Sequence, residues 1–156
     1  MKTRHRTARR LVLASIGLAL ASHGHFQASP SATYLDAARV TAAFAKGMPL
    51  VETGGYKIHA SRREAPGVAE VHVQDTDIIY VLEGTATVVT GGDVVNGRTL
   101  EGTIDEIRGA SIRGGTAQRL SKGDVFIVPN GVPHQFTEVQ APFLYYVVKA
   151  TDGGRR

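Results

Sequence analysis

The sequence predicts an all-β protein with one N-terminal helix. It contains 18 glycines and 6 prolines among its 156 residues, a composition that favours many turns and short strands over long helices. A helical period of apolar residues is present at residues 34–46, and from Leu50 onward the pattern changes to that of strands. The length suits a single domain with its own hydrophobic core.

The first 21 residues are typical of a secretory signal peptide. A basic segment precedes the apolar run at residues 11–21, and Ala19-Leu20-Ala21 is a small-x-small cleavage site. The run is about half of the ~20 residues needed to span a bilayer. Arg9-Arg10 also loosely resembles a twin-arginine export signal. We therefore expect a periplasmic or secreted protein without a membrane partner after cleavage; the alternative is an uncleaved membrane anchor.

The net charge of +4 belongs to this leader. Five of the 18 basic residues lie before residue 11 and all 14 acidic residues follow, so the rest of the chain carries 13 basic and 14 acidic residues. The charge is thus no indication of nucleic acid as a partner. The absence of cysteine excludes disulfides, thiolate metal sites and a cysteine nucleophile. No nucleophile motif, P-loop or dinucleotide fingerprint is present.

The remaining chain divides into a tether, a domain and a tail. Residues 22–32 are a tether of small residues, and the domain is predicted at residues 33–149 with a polar tail at 150–156. The domain begins with the helix at 34–46, for which Thr33 is the expected N-cap. We expect this helix to lie on the outside of the strands that follow.

Residues 123–138 predict a strand, a tight turn and a second strand. Val125–Val128 are β-branched or aromatic, which suits a buried strand. Asn130-Gly131 tolerates positive φ and can reverse the chain. His134 then begins the next strand and is directed at an interior. The alternative is an ordinary hairpin that carries an incidental histidine.

Residues 67–84 are the second informative segment. Glu70, His72 and Gln74 share one face of a strand, because side chains alternate with a period of two. Ile78–Leu82 predicts a strand that is buried on both faces. Gly84 is expected to open a hairpin into the following residues.

These segments contain four candidate metal ligands, which are His72, Gln74, Asp77 and His134. Two imidazoles and a carboxylate are the set used by non-heme iron(II), and imidazole also suits zinc, nickel and manganese. In the alternative, Asp77 is too short to reach a metal and caps its own turn, while His72 and Gln74 form a hydrogen-bonded pair.

Residues 123–138 resemble the second motif of the cupin superfamily, which is written G-x5-P-x-G-x2-H-x3-N. Gly123, Pro129, Gly131 and His134 match its positions, and Glu138 stands where asparagine is usual. By the alternation of a strand, Glu138 should share the face of His134.

Residues 67–84 resemble the first cupin motif, G-x5-H-x-H-x3,4-E-x6-G, with departures. His72 matches the first histidine, and Asp77 stands in place of the glutamate seven residues before Gly84. Gln74 replaces the second histidine, and the spacing from Gly67 is one residue short.

The resemblance covers residues 50–149 and implies a single-domain antiparallel β-barrel of jelly-roll type. It also implies one divalent metal ion (iron, manganese, zinc or nickel), a small-molecule ligand and a homodimer. Three functions stay open: a metal-dependent enzyme of oxygenase or isomerase type, a ligand-binding barrel with or without metal, and a structural barrel in which the last strand at 143–149 is the interface. Catalytic residues are not assigned.

The sequence leaves the roles of three further features open. His59 is either a surface histidine or an additional pocket residue. Arg62 and Arg63 are either solvated or placed so that one of them meets an anionic ligand. Residues 91–122 are long for the space between the motifs, so we expect an extra hairpin or an extended loop there.

Overall fold

The computed structural model describes residues 31–103 and 105–151, in which it has one helix and eleven strands. The elements are α1 (Ala37–Lys46), β1 (Met48–Glu52), β2 (Tyr56–Arg63), β3 (Ala69–His72), β4 (Asp75–Thr90), β5 (Asp93–Val95), β6 (Arg98–Thr99), β7 (Glu106–Gly109), β8 (Ser111–Arg113), β9 (Thr116–Ser121), β10 (Val125–Val128) and β11 (His134–Thr151). The predicted all-β class with one N-terminal helix is confirmed. Within the described ranges no helix is long and apolar enough to cross a membrane.

The predicted signal peptide at 1–21 and most of the predicted tether at 22–32 lie outside the described residues, as do residues 152–156 of the predicted tail. β11 continues to Thr151, which is two residues further than the predicted end of the domain.

Helix α1 begins three residues later than the sequence predicts. Asp36, not Thr33, is the N-cap, and its side chain accepts a hydrogen bond of 2.8 Å from the backbone N–H of Arg39. This bond satisfies one of the free N–H groups of the first turn. The helix ends at Gly47, whose φ of 66° is the left-handed conformation usual after a helix.

Strands β4 and β11 form the frame of the domain. Residues 75–83 of β4 pair with residues 144–151 of β11, and this pair lies between β10 on one side and β2 and β1 on the other. Residues 85–90 pair with 134–140, between β9 on one side and β3, β7 and β6 on the other. The strands grouped around the first pair form one sheet of the domain, and those grouped around the second pair form the other. The two long strands therefore belong to both sheets, as expected for a jelly-roll arrangement.

The chain bends at Gly84 instead of forming the predicted hairpin. Gly84 has a φ of 77°, and a Cβ at this position would overlap the carbonyl oxygen of Pro142 and lie 2.9 Å from that of Gln140. The register of β11 against β4 shifts between Gln140 and Leu144, opposite this glycine. A residue without a side chain thus lets β4 bend from one sheet into the other without ending.

The core lies between the inner faces of the two sheets. Its buried residues come from β4, β9 and β11 and are Ile79, Val81, Ala86, Val88, Leu120, Phe136, Phe143, Tyr145 and Val147. The rings of Phe136, Phe143 and Tyr145 in β11 contact one another, with centroids 5.1 to 5.7 Å apart.

The outer face of β4 and β10 is exposed, which the sequence did not predict. Ile78 and Tyr80 are 37% and 46% exposed, although the strand was expected to be buried on both faces. Val125 and Ile127 of β10 are 61% and 57% exposed. The run of apolar residues could not reveal this, because periodicity does not show whether anything covers the second face.

Helix α1 covers the outer face of the same sheet at β1, β2 and β11. Ala43 is buried there with Leu50 and Ala60, and the ring of Phe44 meets that of Tyr146 edge-on at 4.9 Å. The helix is thus on the outside of the strands, as expected.

The long segment between the motifs forms the predicted extra structure. β5 and β8 pair as a separate two-stranded sheet, and β6 and β7 extend the sheet next to β3. Its turns include Gly91 and Gly92, with φ of 76° and 71°, and Asn96, with a φ of 55°.

A partly buried ion pair joins the start of β4 to its neighbours. The Asp75 carboxylate accepts hydrogen bonds of 2.7 Å from the Lys57 ammonium and from the Thr151 hydroxyl. Burial opposes the charge of Asp75, but these bonds and the charge of Lys57 outweigh it, so the pKa of Asp75 lies below its usual value.

Replacing Asp75 by Asn should lower the free energy of unfolding at pH 7 by about 1–2 kcal/mol, since Lys57 and Thr151 lose a charged acceptor. The carboxylate stabilises the protein above its unfolded pKa of about 3.9, and this contribution is lost as pH falls through the lower folded pKa. Urea unfolding at several pH values should therefore show the difference closing in acid. Asp93→Asn is the control, because Asp93 and its partner Arg113 are 76% and 78% exposed; a loss of the same size there would contradict the assignment.

Candidate metal and ligand site

A cavity of about 230 Å³ is lined by strands β2, β3, β4, β7 and β11. Its wall is apolar where the core reaches it, at Ile79, Phe136, Tyr145 and Val147. Its titratable lining residues are His59, Arg63, Glu70, His72, Asp77, Glu106, Arg108, His134, Tyr145 and Lys149. A concave apolar site with converging charged groups is what a small-molecule site requires.

The turn before β11 is bonded to the end of β3. The N–H of Gly131 donates to the carbonyl oxygen of His72 at 2.8 Å, and the Asn130 amide donates to that of Val73 at 3.3 Å. Gly131 has the positive φ, 75°, that the turn was predicted to need. The turn therefore brings His134 to His72, and the two ring centroids are 5.1 Å apart.

Glu70 completes a three-residue cluster with these histidines. It lies directly opposite His134 in the pairing of β3 with β11. One donor atom from each of Glu70, His72 and His134 lies within 4.8 Å of the others. The sequence placed Glu70 on the face of His72 but did not select it as a ligand; that shared face was the available signal.

Lys149 lies between two of the predicted ligands. It is directly opposite Asp77 in the pairing of β4 with β11. Its ammonium is 2.7 and 3.0 Å from the two Asp77 carboxylate oxygens and 2.8 Å from His72 Nε2. The Asp77 carboxylate is in turn 3.4 Å from His72 Nε2 and 3.9 Å from His134 Nε2. Asp77 therefore faces the cavity but already has a cation beside it.

The sequence missed Lys149, although its strand carried a signal. Phe143, Tyr145 and Val147 alternate along β11 and point to the core, so the same period of two places Lys149 on the inner face. Only 14% of its side chain is exposed.

The protonation states follow from this packing. Burial and the nearby His72 lower the pKa of His134, so its ring is neutral at pH 7. Burial opposes the charge of Asp77, but the neighbouring His72 and the charge of Lys149 outweigh it and lower the pKa of Asp77. The cavity thus holds a neutral imidazole at His134 and an ionised carboxylate at Asp77.

Gln74 is not brought into the cavity. β3 ends at His72 and β4 begins at Asp75, so the face shared with His72 ends before Gln74. The Gln74 side chain is exposed and donates to the Asp105 carboxylate at 2.9 Å. The tight connection between the strands, not the residue type, turns it outward.

Two further predictions concern strand faces at the site. Glu138 does not share the face of His134, because the register shifts after Phe136; Glu138 is exposed and accepts a hydrogen bond from Thr87 at 2.7 Å. His59 lines the cavity and lies 3.0 Å from the Glu52 carboxylate, so it is half-buried rather than a free surface residue.

A second group of paired charges lies beside Glu70, on strands β3 and β7. Arg108 on β7 contacts the carboxylates of Glu106 and Glu70. Glu106 lies opposite His72 in the pairing of β3 with β7, with 4.0 Å between its carboxylate and His72 Nδ1. Every strand that lines the cavity thus contributes a charged group or an imidazole.

The sequence profile of the Cupin family matches residues 23–156. The chain belongs to the cupin family. The match includes both motif segments and all of the described domain. No curated protein matches the sequence.

Solved structures support the fold. The protein BH2720 from Bacillus halodurans is similar with a TM-score of 0.53 and 11% identity, over 83% of this chain and 88% of that one. The protein NMB1881 from Neisseria meningitidis has a TM-score of 0.52 and 12% identity, over 76% and 100%. At these identities the likeness concerns the fold alone.

The donor set of this cupin fits a divalent metal ion. Glu70, His72 and His134 offer two imidazoles and a carboxylate on neighbouring strands, within the 4.8 Å that one ion can bridge. His72 and His134 are 9% and 4% exposed, so a bound ion would be shielded from water.

Replacing Lys149 by Met should lower the free energy of unfolding of the metal-free protein by about 3 kcal/mol at pH 7. The variant leaves the Asp77 carboxylate buried without its cation. Burial would then hold the folded pKa of Asp77 above its unfolded value, so the loss should shrink as pH falls through that raised pKa. Chemical unfolding with a chelator present, followed from neutral to acid pH, measures the effect.

A second substitution makes this test specific. Adding Asp77→Asn to Lys149→Met should restore part of the lost stability, because the buried charge is removed. Lys122→Met, at an exposed position, is the matched control. A Lys149→Met loss that is independent of pH would show that packing, not charge, is responsible.

Proposed function

We propose that this cupin binds one divalent metal ion in its cavity and binds or acts on a small organic molecule beside it. The observation that carries the proposal is the convergence of Glu70 and His72 of β3 with His134 of β11, whose donor atoms lie within 4.8 Å of one another. The sequence also predicts Asp77 and Gln74 as ligands. Asp77 is a buried neighbour of this cluster, and Gln74 is exposed.

A metal in this set would act as a Lewis acid toward an oxygen of the bound molecule, or as a redox centre if it is iron or manganese. The protein's own groups have other tasks. The apolar wall limits water in the cavity, Lys149 holds the Asp77 carboxylate in its charged form, and Arg108 holds Glu70 from the other side. Oxygenase or isomerase chemistry on a small organic substrate is the activity we propose to assay.

A metal-free ligand-binding barrel is the second candidate, and Lys149 favours it. A divalent ion bound to Asp77 would lie next to the Lys149 ammonium, and like charges at such short distances repel strongly in a buried site. If Lys149 is the resident cation of the cavity, it takes over the charge balance that a metal would otherwise supply. Measured metal content separates the two candidates.

Plasma mass spectrometry of the mature protein, purified without a tag and without added metal, should find close to one equivalent of a transition metal. A folded His72→Ala/His134→Ala variant should lose it, and Glu70→Gln should lose most of it. Gln74→Ala and His59→Ala are matched controls, because Gln74 is exposed and His59 is bonded to Glu52; both should keep the metal.

The outcomes also decide the ligand set. Loss of metal on Asp77→Asn but not on Glu70→Gln would replace Glu70 by Asp77 as the carboxylate ligand. A parent protein that contains no metal and takes none up on addition would overturn the metal site and leave the metal-free barrel.

The proposal includes export and a homodimer. Export is supported by the leader at residues 1–21. The dimer is supported by the exposed apolar face of β4 and β10, where Tyr80 lies opposite Val125 and Ile78 opposite Ile127. These neighbouring side chains form one apolar surface, and such surfaces are typical of contact sites between proteins.

Replacing Val125 and Ile127 together by Lys should convert the dimer to a monomer, because two charges would have to be buried at the interface. Light scattering during size-exclusion chromatography measures the mass. Val68→Lys is the control, since Val68 is 46% exposed on another part of the domain. A monomeric parent, or a dimer that tolerates both lysines, would contradict this interface.

A further inference from the structure

The alternation of β2 separates two neighbouring arginines. Arg63 lies opposite Phe143 in β11, and its side chain lines the cavity. Arg62 lies opposite Leu144 on the other face and pairs with Glu64. The sequence left open whether either arginine meets an anionic ligand, and the strand register places Arg63 at the cavity.

The Arg63 side chain is held by the core and not by a carboxylate. Its Nε donates to the Tyr145 hydroxyl at 3.0 Å, and its guanidinium carbon lies 4.4 Å from the centre of the Phe136 ring. A Cβ on Gly67 would lie 2.6 Å from Arg63 Nη1, so the glycine leaves room for the guanidinium. These contacts orient the group without neutralising it.

Arg63 differs in this respect from the other cations that line the cavity. Lys149 pairs with Asp77, and Arg108 pairs with Glu106 and Glu70. Among residues 31–103 and 105–151, no carboxylate oxygen lies within 4.0 Å of the Arg63 guanidinium.

The terminal amino groups of Arg63 are also not completely buried. No hydrogen bond from Nη1 or Nη2 is present in the described part of the chain. Yet no buried side-chain nitrogen in that part is left without a hydrogen-bond partner. The two groups must therefore have accessible surface, and an entering ligand can meet them.

We propose that Arg63 binds the carboxylate of a small organic acid, with the acid's apolar body against Phe136, Tyr145 and Val147. The planar guanidinium can offer two parallel N–H donors to a carboxylate. The three carboxylates that line the cavity, at Glu70, Asp77 and Glu106, disfavour a dianion such as phosphate more than a monoanion. A volume of about 230 Å³ limits the acid to a small one.

This inference rests on the proposed use of the cavity for a small organic molecule, but it does not require the metal. The experiment is therefore done on chelator-treated protein and on protein loaded with the metal that is found. Benzoate and butanoate are the probes, and benzamide and butanamide are their uncharged counterparts. Titrations followed by two-dimensional NMR measure each Kd and report folding of every variant.

The parent should bind at least one of the two acids about tenfold more tightly than its amide, because a charge-assisted pair is lost in the amide. Arg63→Gln should remove that preference, and Arg63→Lys should keep only part of it. Arg62→Gln is the matched control: it removes the same charge one residue away on the opposite face, and it should leave the preference unchanged.

Gly67→Ala tests the position of the guanidinium without changing any charge. The added methyl group should displace Arg63 and weaken acid binding by several-fold while amide binding stays the same. This variant keeps the test decisive if Arg63→Gln does not fold.

Three results would overturn the assignment. The first is equal or absent binding of acids and amides by the parent. The second is an equal loss in Arg62→Gln and Arg63→Gln, which would show a long-range charge effect. The third is tighter binding of inorganic phosphate than of either acid. If chelator-treated protein prefers the acids to the amides but takes up no metal, the metal site is wrong and the assignment of Arg63 stands. The two failures are therefore distinguishable.

Discussion

The pairing of β4 with β11 is the constraint on which the fold and the cavity both depend. The two strands run through both sheets and stay paired on either side of the bend at Gly84, although their register shifts there. Their inner faces supply most of the core, and where the core ends the same faces supply Asp77 and Lys149. Directly opposite residues share a face of a sheet, so the pairing that builds the core also assembles the charges of the cavity.

Charge balance explains how this cavity stays both buried and polar. Asp77 is matched by Lys149 and Glu70 by Arg108, so the buried and the half-buried carboxylate each have a cation within contact distance. Such pairs cost desolvation energy, and losing one partner costs more than the pair gains. Arg63 is held by aromatic contacts instead, which leaves its charge for a ligand. The cavity therefore combines a metal-compatible cluster with an anion-binding group.

Much of the site could be predicted from local sequence, and the residues that do not lie where they were predicted have local explanations. His72, Asp77 and His134 lie at the cavity because each stands on a regular strand whose alternation holds. Gln74 follows a strand end and Glu138 follows a register shift, so alternation does not extend to them. The prediction of a hairpin at Gly84 was wrong because a glycine with positive φ also occurs at a bend in a continuous strand. Only the pairing with the partner strand distinguishes the two.

The sequence by itself determined the fold class, the two motif segments and the turn that delivers His134, because these depend on backbone preferences and on the period of side chains along one strand. The tertiary structure decided which strands are neighbours. That pairing put Glu70 opposite His134 and Lys149 opposite Asp77, placed Arg63 and not Arg62 at the cavity, and left the outer face of β10 uncovered. The physical reason is that contacts between distant strands are set by register and packing, which no single segment encodes.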